Sequence, residues 1–122
     1  MKTIAVALAG ALLVAGTVAA RSATNQKERD LLRGYAFAAC LAEGYKGTSF
    51  QHDAEHVAGL YMELGRTDKA AVYERLREAA RAAHPEKRAA VENANVAIMT
   101  CLDLYNSNQV RAIVGSSSGQ PR

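Results

Sequence analysis

The chain has 122 residues and a formal net charge of +3, with 15 basic and 12 acidic side chains interspersed along it. No basic patch with interleaved aromatic residues stands out, which excludes the electrostatic footprint of a nucleic-acid binder. Two cysteines, two prolines and no tryptophan complete a composition suited to one small domain.

The N-terminus reads as an export signal. Met1 and Lys2 give a short basic start, and Ile4 to Ala20 is apolar apart from Gly10, Gly16 and Thr17. Val18-Ala19-Ala20 puts small residues where signal peptidase requires them, so cleavage is expected after Ala20. An uncleaved membrane anchor is the alternative, although the apolar run is at the short limit of the roughly 20 residues that a span needs. The first cysteine, Cys40, is too distant for a lipid-modified N-terminus. Loss of Lys2 lowers the formal charge from +3 to +2. Residues 21–115 are read as one domain, and residues 116–122 as a disordered polar tail with no core positions.

Helical periodicity runs through the domain. Asn25 followed by Glu28 resembles a capping box and predicts a first helix ending near Tyr45, where Gly44 and Gly47 interrupt it. Leu31, Tyr35, Ala38, Ala42 and Tyr45 form one stripe, and Cys40 lies on the opposite side with Ala36 and Phe37 nearby. Residues 35–42 are apolar all round, the mark of a helix covered on both faces, so this helix is expected at the centre.

Thr48 and Gln51 predict a second helix running to Leu64, with Gly65 as its stop and Ala54, Val57, Leu60, Tyr61 and Leu64 on one face. Thr67 or Asp68 should cap a third helix with apolar positions Val72, Leu76, Ala80 and Ala83, limited by Pro85. A fourth, from about Glu86 to Tyr105, carries Val91, Ala94, Ile98, Cys101, Leu102 and Tyr105 together, which turns Cys101 inward. Ser107 can cap a short fifth helix ending near Gly115. The expected fold is therefore all-α, a small bundle of four to five helices with no strand pattern and no internal repeat.

In an oxidising space, two cysteines far apart in sequence usually pair. A Cys40–Cys101 bond would join the first helix to the last long one and, on the chain-entropy model, stabilise the fold by roughly 4 kcal/mol. A free thiol is the alternative. A metal site is disfavoured because neither cysteine has a second ligand at close spacing.

The sharpest catalytic pattern is His52-Asp53-Ala54-Glu55-His56, a literal H-x-x-E-H in which two histidines one turn apart could hold zinc beside a glutamate base. The pair is expected at the surface, away from the Val57/Leu60/Leu64 stripe. A catalytic zinc also needs a third ligand and a water-excluding pocket. His84 has no visible orienting carboxylate, and Glu74, Glu78, Arg77 and Arg81 read as an ordinary solvated helix face. No phosphate loop or nucleophile elbow is present, and no cofactor is expected. The chain reads as a binder rather than an enzyme. Its candidate contacts are the turn His84-Pro85-Glu86-Lys87-Arg88 and the start of the second helix at His52 and His56.

Tyr35-Ala36-Phe37-Ala38-Ala39-Cys40-Leu41, then Tyr61-Met62-Glu63-Leu64-Gly65, then Met99-Thr100-Cys101-Leu102-Asp103-Leu104-Tyr105-Asn106-Ser107 occur in an order that resembles a known family. It is that of the immunity proteins of type VI secretion amidase effectors, specifically those neutralising the fourth amidase group, and the likeness spans about Leu31 to Val114. The resemblance implies a periplasmic, all-helical homodimer. It would plug the active-site cleft of a peptidoglycan amidase, a cysteine peptidase that cuts the stem peptide. It implies that Cys40 and Cys101 form the family disulfide and that Tyr35, Asp103 and Tyr105 are framework positions. A loop and a helix of the dimer would reach the enzyme, yet Arg81 to Asn95 reads as short and almost continuously helical where a protruding loop is expected. The competing readings are an exported helical adaptor for another envelope protein and a metal-dependent hydrolase.

Overall fold

The computed structural model describes the backbone of residues 9–86 and 96–118 and the side chains of residues 25–86 and 96–116. Among these residues there are five helices and no strand: α1 (Ala9–Gly44), α2 (Ser49–Leu64), α3 (Ala70–Ala82), α4 (Val96–Tyr105) and α5 (Asn108–Ser118). α1 is the axis, and each of the other four packs against it.

The reason lies in residues 32–40 of α1. Leu32, Tyr35, Ala36, Ala38 and Cys40 are all buried, and with the partly buried Phe37 and Leu41 they turn apolar side chains to every side of the helix. α3 adds Val72, Tyr73, Leu76, Ala79 and Ala80, and α5 closes the core with Val110 and Val114. Tyr35 and Tyr73 meet edge to face at 4.9 Å, a favoured aromatic arrangement. Leu32, not the neighbouring Leu31 named in the sequence stripe, is the leucine buried in this core.

The staple is present. Cys40 and Cys101 are bonded and fully buried, with Cα atoms 5.5 Å apart and a sequence separation of 61. The bond fixes α4 to α1. Arg33 strengthens the same seam: its Nε donates to the Tyr105 carbonyl at 3.1 Å, and its guanidinium lies 4.1 Å from the centre of the Tyr105 ring.

Two sequence expectations about caps change. Asn25 does not start a helix, because α1 already runs through it. Glu28 instead projects from α1 to cap the connection between α2 and α3, where its carboxylate accepts from the Arg66 N–H at 2.9 Å, the Thr67 N–H and the Thr67 hydroxyl. α3 begins at Ala70 behind Lys69, slightly later than Thr67 or Asp68 would have it, because Thr67 is engaged by Glu28. Gly65 does end α2, but with φ −80 it is extended rather than left-handed. Ser107 behaves as expected: its hydroxyl accepts from the Val110 N–H at 3.2 Å at the start of α5.

The larger correction concerns which faces are covered. On α2 the buried residues are Ala54 and Ala58, while Val57, Leu60 and Leu64 are 41%, 42% and 67% exposed. On α4 Ala97, Thr100, Cys101 and Leu104 face inward, while Ile98 and Leu102 are exposed. Val91 and Ala94 lie outside the described residues. Small side chains are what let α2 lie close to α1. A Cβ on Gly34 would sit 2.5 Å from the Tyr61 ring, so the ring rests directly on the α1 backbone.

Candidate functional site

α3 ends in an unusual way. Ala83 is still right-handed, and His84 then takes φ 48, the one positive φ among the described non-glycine residues. A residue just past a helix end often turns left-handed, but glycine normally occupies it because a Cβ crowds the following carbonyl. Pro85 follows, fully buried. It and Ala97 converge on Gly44, where a Cβ would lie 3.2 Å from Pro85 Cβ and 2.9 Å from Ala97 Cβ. The proline is thus wedged against the end of α1, and the residues beside it are held out. His84 and Glu86 are about half exposed, with His84 Nδ1 3.2 Å from Glu86 Oε1. Lys87 and Arg88 lie outside the described residues.

The other candidate segment lies at the same end of the bundle. α1 finishes at Gly44, the chain turns through Tyr45 to Thr48, and α2 opens at Ser49. Gln51 accepts from the Gly47 N–H at 2.8 Å and the Thr48 hydroxyl donates to the Tyr45 carbonyl, which tightens that turn. His52 and His56 follow on the outer face of α2, with the His52 side chain 84% exposed and its Nδ1 3.8 Å from Glu55 Oε2. Among the described residues no three His, Cys, Asp or Glu side chains gather as a metal would require. The two cysteines are in their disulfide, so neither offers a thiolate.

A hollow of about 450 Å³ separates α2 from α3, with Tyr35, Ala39 and Ala42 of α1 along it and Glu43, Glu55, Arg77 and Arg81 at its rim. Arg77 does more here than the solvated-face reading allowed. Its Nη2 donates to the Tyr35 hydroxyl at 3.0 Å, and this hydrogen bond, with the nearby phenol and the Glu74 and Glu43 carboxylates, raises the guanidinium pKa despite some burial. Arg81 lies 3.6 Å from Glu43. The arginines are thus spent on internal partners, and the hollow has no unopposed charge of one sign. Sequence could have hinted at this contact only by pairing a tyrosine in a buried stripe with an arginine far along the chain.

The anchored turn at His84–Glu86 and the two surface histidines His52 and His56 lie at one end of the bundle. The sequence model of the type VI secretion system (T6SS) amidase immunity protein family, Tai4, matches residues 30–114. The chain belongs to that family. The matched stretch begins within α1 and closes at Val114 inside α5, so it takes in both cysteines, the whole of α2, α3 and α4, and the first part of α5. No curated protein and no solved structure matches the chain. Among the described residues no helix is long and apolar enough to cross a membrane.

Proposed function

We propose that this chain is a periplasmic immunity protein, a non-catalytic inhibitor that binds a peptidoglycan amidase delivered by type VI secretion and occludes its active site. Family membership over residues 30–114 carries the reading. In this reading residues 1–20 are a signal peptide removed after Ala20, residues 21–115 form the inhibitory domain, and the inhibitor works as a homodimer without a cofactor.

The contact surface is assigned to the end of the bundle where α1 finishes: His84, Glu86, Lys87 and Arg88 on one connection, His52 and His56 on the first turns of α2. Two observations support it. His84 keeps a left-handed backbone that local sterics disfavour, and residues held in this way cluster where a protein grips a ligand. The wedged Pro85 also fixes the turn before any partner arrives, which reduces the ordering cost of binding.

The test is protection. A periplasm-targeted amidase of the cognate secretion locus should lyse cells, and co-expression of this chain should prevent lysis. The purified pair should form a stoichiometric complex in which the amidase no longer cleaves peptidoglycan. Equal lysis with and without the chain would overturn the proposal. Replacing His84 and Glu86 by alanine should weaken the complex at least tenfold, and unchanged affinity would move the contact elsewhere.

A further inference from the structure

The disulfide and the wedged turn share one seam between α1 and α4. Cys40 and Gly44 are one helical turn apart on α1, and Ala97 and Cys101 are one turn apart on α4. Cys40 is bonded to Cys101 with Cα atoms 5.5 Å apart, while a Cβ on Gly44 would sit 2.9 Å from Ala97 Cβ. The two helices therefore run antiparallel here, with Cys40 set against Cys101 and Gly44 against Ala97. Pro85 is packed into the second of these levels, its Cβ 3.2 Å and its Cγ 3.6 Å from the same Gly44 position. Cys40, Cys101, Ala97 and Pro85 are all buried.

Among the described residues, the hydrogen bonds between α1 and the α4 side of this seam lie at its far end. There Arg33 Nε donates to the Tyr105 carbonyl and Nη2 to the Asn106 side-chain oxygen. Tyr105 is two turns beyond Ala97, about 12 Å along the helix. Between them, Thr100 Oγ1 is buried without a hydrogen-bond partner among the described residues, so its burial opposes the packing of this turn. Ala97 itself offers a single methyl. The disulfide is thus the tie closest to the Pro85 wedge, about 6 Å away along α4.

We propose, on the reading of the His84–Glu86 turn as an amidase contact, that Cys40–Cys101, Gly44 and Ala97 position that turn for the enzyme beyond stabilising the fold. The bond sets the separation of α1 and α4, and that separation sets the gap in which Pro85 sits. The seated proline then holds His84 in its left-handed backbone, with the imidazole and the Glu86 carboxylate outward. Without the bond, α4 is free to draw away from Gly44 at Ala97, and Pro85 loses one of its two walls. The partner must then order the turn, and that cost is read as weaker affinity. Both cysteines are buried, so they act through Pro85 and not by contact with the enzyme.

Calorimetric titration of the exported protein with the amidase of the cognate secretion locus tests this. Cys40→Ala combined with Cys101→Ala should weaken the complex about tenfold or more while the helical spectrum stays that of the wild type. The His84 and Glu86 amides should exchange faster in that variant, while α3 keeps its protection. Gly44→Ala retains the bond and should weaken binding by a similar factor, because its methyl presses on both Ala97 and Pro85. Adding Ala97→Gly removes the closer clash and should restore most of the affinity. Leu76→Ala, which empties a core position on α3 away from this seam, should leave affinity within about threefold of the wild type. If the folded double cysteine variant or Gly44→Ala binds as tightly as the wild type, the positioning role fails and the immunity reading stands. If Leu76→Ala loses as much affinity as they do, stability alone governs binding and the positioning role fails again. A wild-type chain that does not bind the amidase overturns both. Should the chain not fold without its disulfide, the Gly44→Ala and Ala97→Gly pair decides alone.

Discussion

Around one side of α1, helices α3, α4 and α5 bury Val72, Tyr73, Leu76, Cys101, Leu104, Val110 and Val114; on another side, α2 buries only Ala54 and Ala58 and leaves five larger apolar residues exposed. Both sides are built from amphipathic helices packed on the same axis. They differ in what holds them. The first has large side chains interlocked and a covalent bond. The second relies on close backbone approach at Gly34, the Tyr61 ring and the Glu28 cap on the loop that follows. A helix that buries only small side chains, with its larger apolar residues turned outward, is placed for contact more than for core. α2 should accordingly exchange its amide hydrogens by local opening at lower free energy than α3.

The largest effect expected on this contrast is loss of the staple. Cys40→Ser should lower stability by about 4 kcal/mol, the chain-entropy value for a loop of this length. Denaturant unfolding of the oxidised wild type and the variant measures it. A loss below about 1 kcal/mol would mean that packing alone holds the α4 side.

Next come two leucines that look alike in sequence and differ in the fold. Leu76 is wholly buried and Leu60 is 42% exposed. Leu76→Ala should cost about 3 kcal/mol through lost burial and a residual cavity. Leu60→Ala, measured at concentrations too low for self-association, should cost less than about 0.5 kcal/mol. Equal losses would show that the outer row of α2 is covered within a single copy.

That pair shows where sequence reading succeeds and where it stops. Periodicity identified an apolar row on each helix. For α3 the row Val72/Leu76/Ala80 is the buried one, because several elements converge on it. For α2 the row Val57/Leu60/Leu64 is real but faces outward, because the close fit to α1 is made by alanine and glycine, which contribute little to a hydrophobic pattern. The all-helical fold, the central first helix and the Cys40–Cys101 pairing were legible, since apolar residues on all sides of a helix and two lone cysteines allow few arrangements. Glu28 was misread as a local capping partner because its true partners, Arg66 and Thr67, are remote in sequence. The left-handed His84 left no trace at all, as no glycine marks it.

Glu28 gives the next prediction, on the α2 side. Burial alone would raise its carboxyl pKa, but hydrogen bonds from the Thr67 hydroxyl and from the Arg66 and Thr67 N–H groups, with the Arg66 charge, hold it below the ordinary value of 4.5. Unfolded, Glu28 binds its proton more readily than folded. Its contribution is therefore complete above the ordinary carboxylate range and is lost as pH falls through the depressed folded value. Glu28→Gln should cost about 1 kcal/mol at neutral pH, a charged hydrogen-bond contribution discounted for partial exposure. The difference from wild type should shrink on acidification below pH 4.5. A cost that does not change with pH would show that the connection between α2 and α3 is held by something other than this carboxylate.

The smallest expected effect, and the one of opposite sign, is at His84. A left-handed backbone carries a steric cost for any residue with a Cβ, and glycine escapes it while losing more chain entropy on folding. Where the native φ is 48, the steric side of that balance should prevail, so His84→Gly should raise stability by up to about 1 kcal/mol. His84→Ala supplies the control, because it removes the imidazole and its Glu86 contact but keeps the Cβ. Alanine should therefore leave stability near wild type or slightly below, and only glycine should exceed it. If the two variants unfold alike, the turn is not strained and its shape follows from the Pro85 wedge alone. If glycine is the more stable and yet binds the amidase less well, the strain is retained for the contact. The turn at the end of α3 would then resemble α2, in that each gives up local stability to present side chains outward.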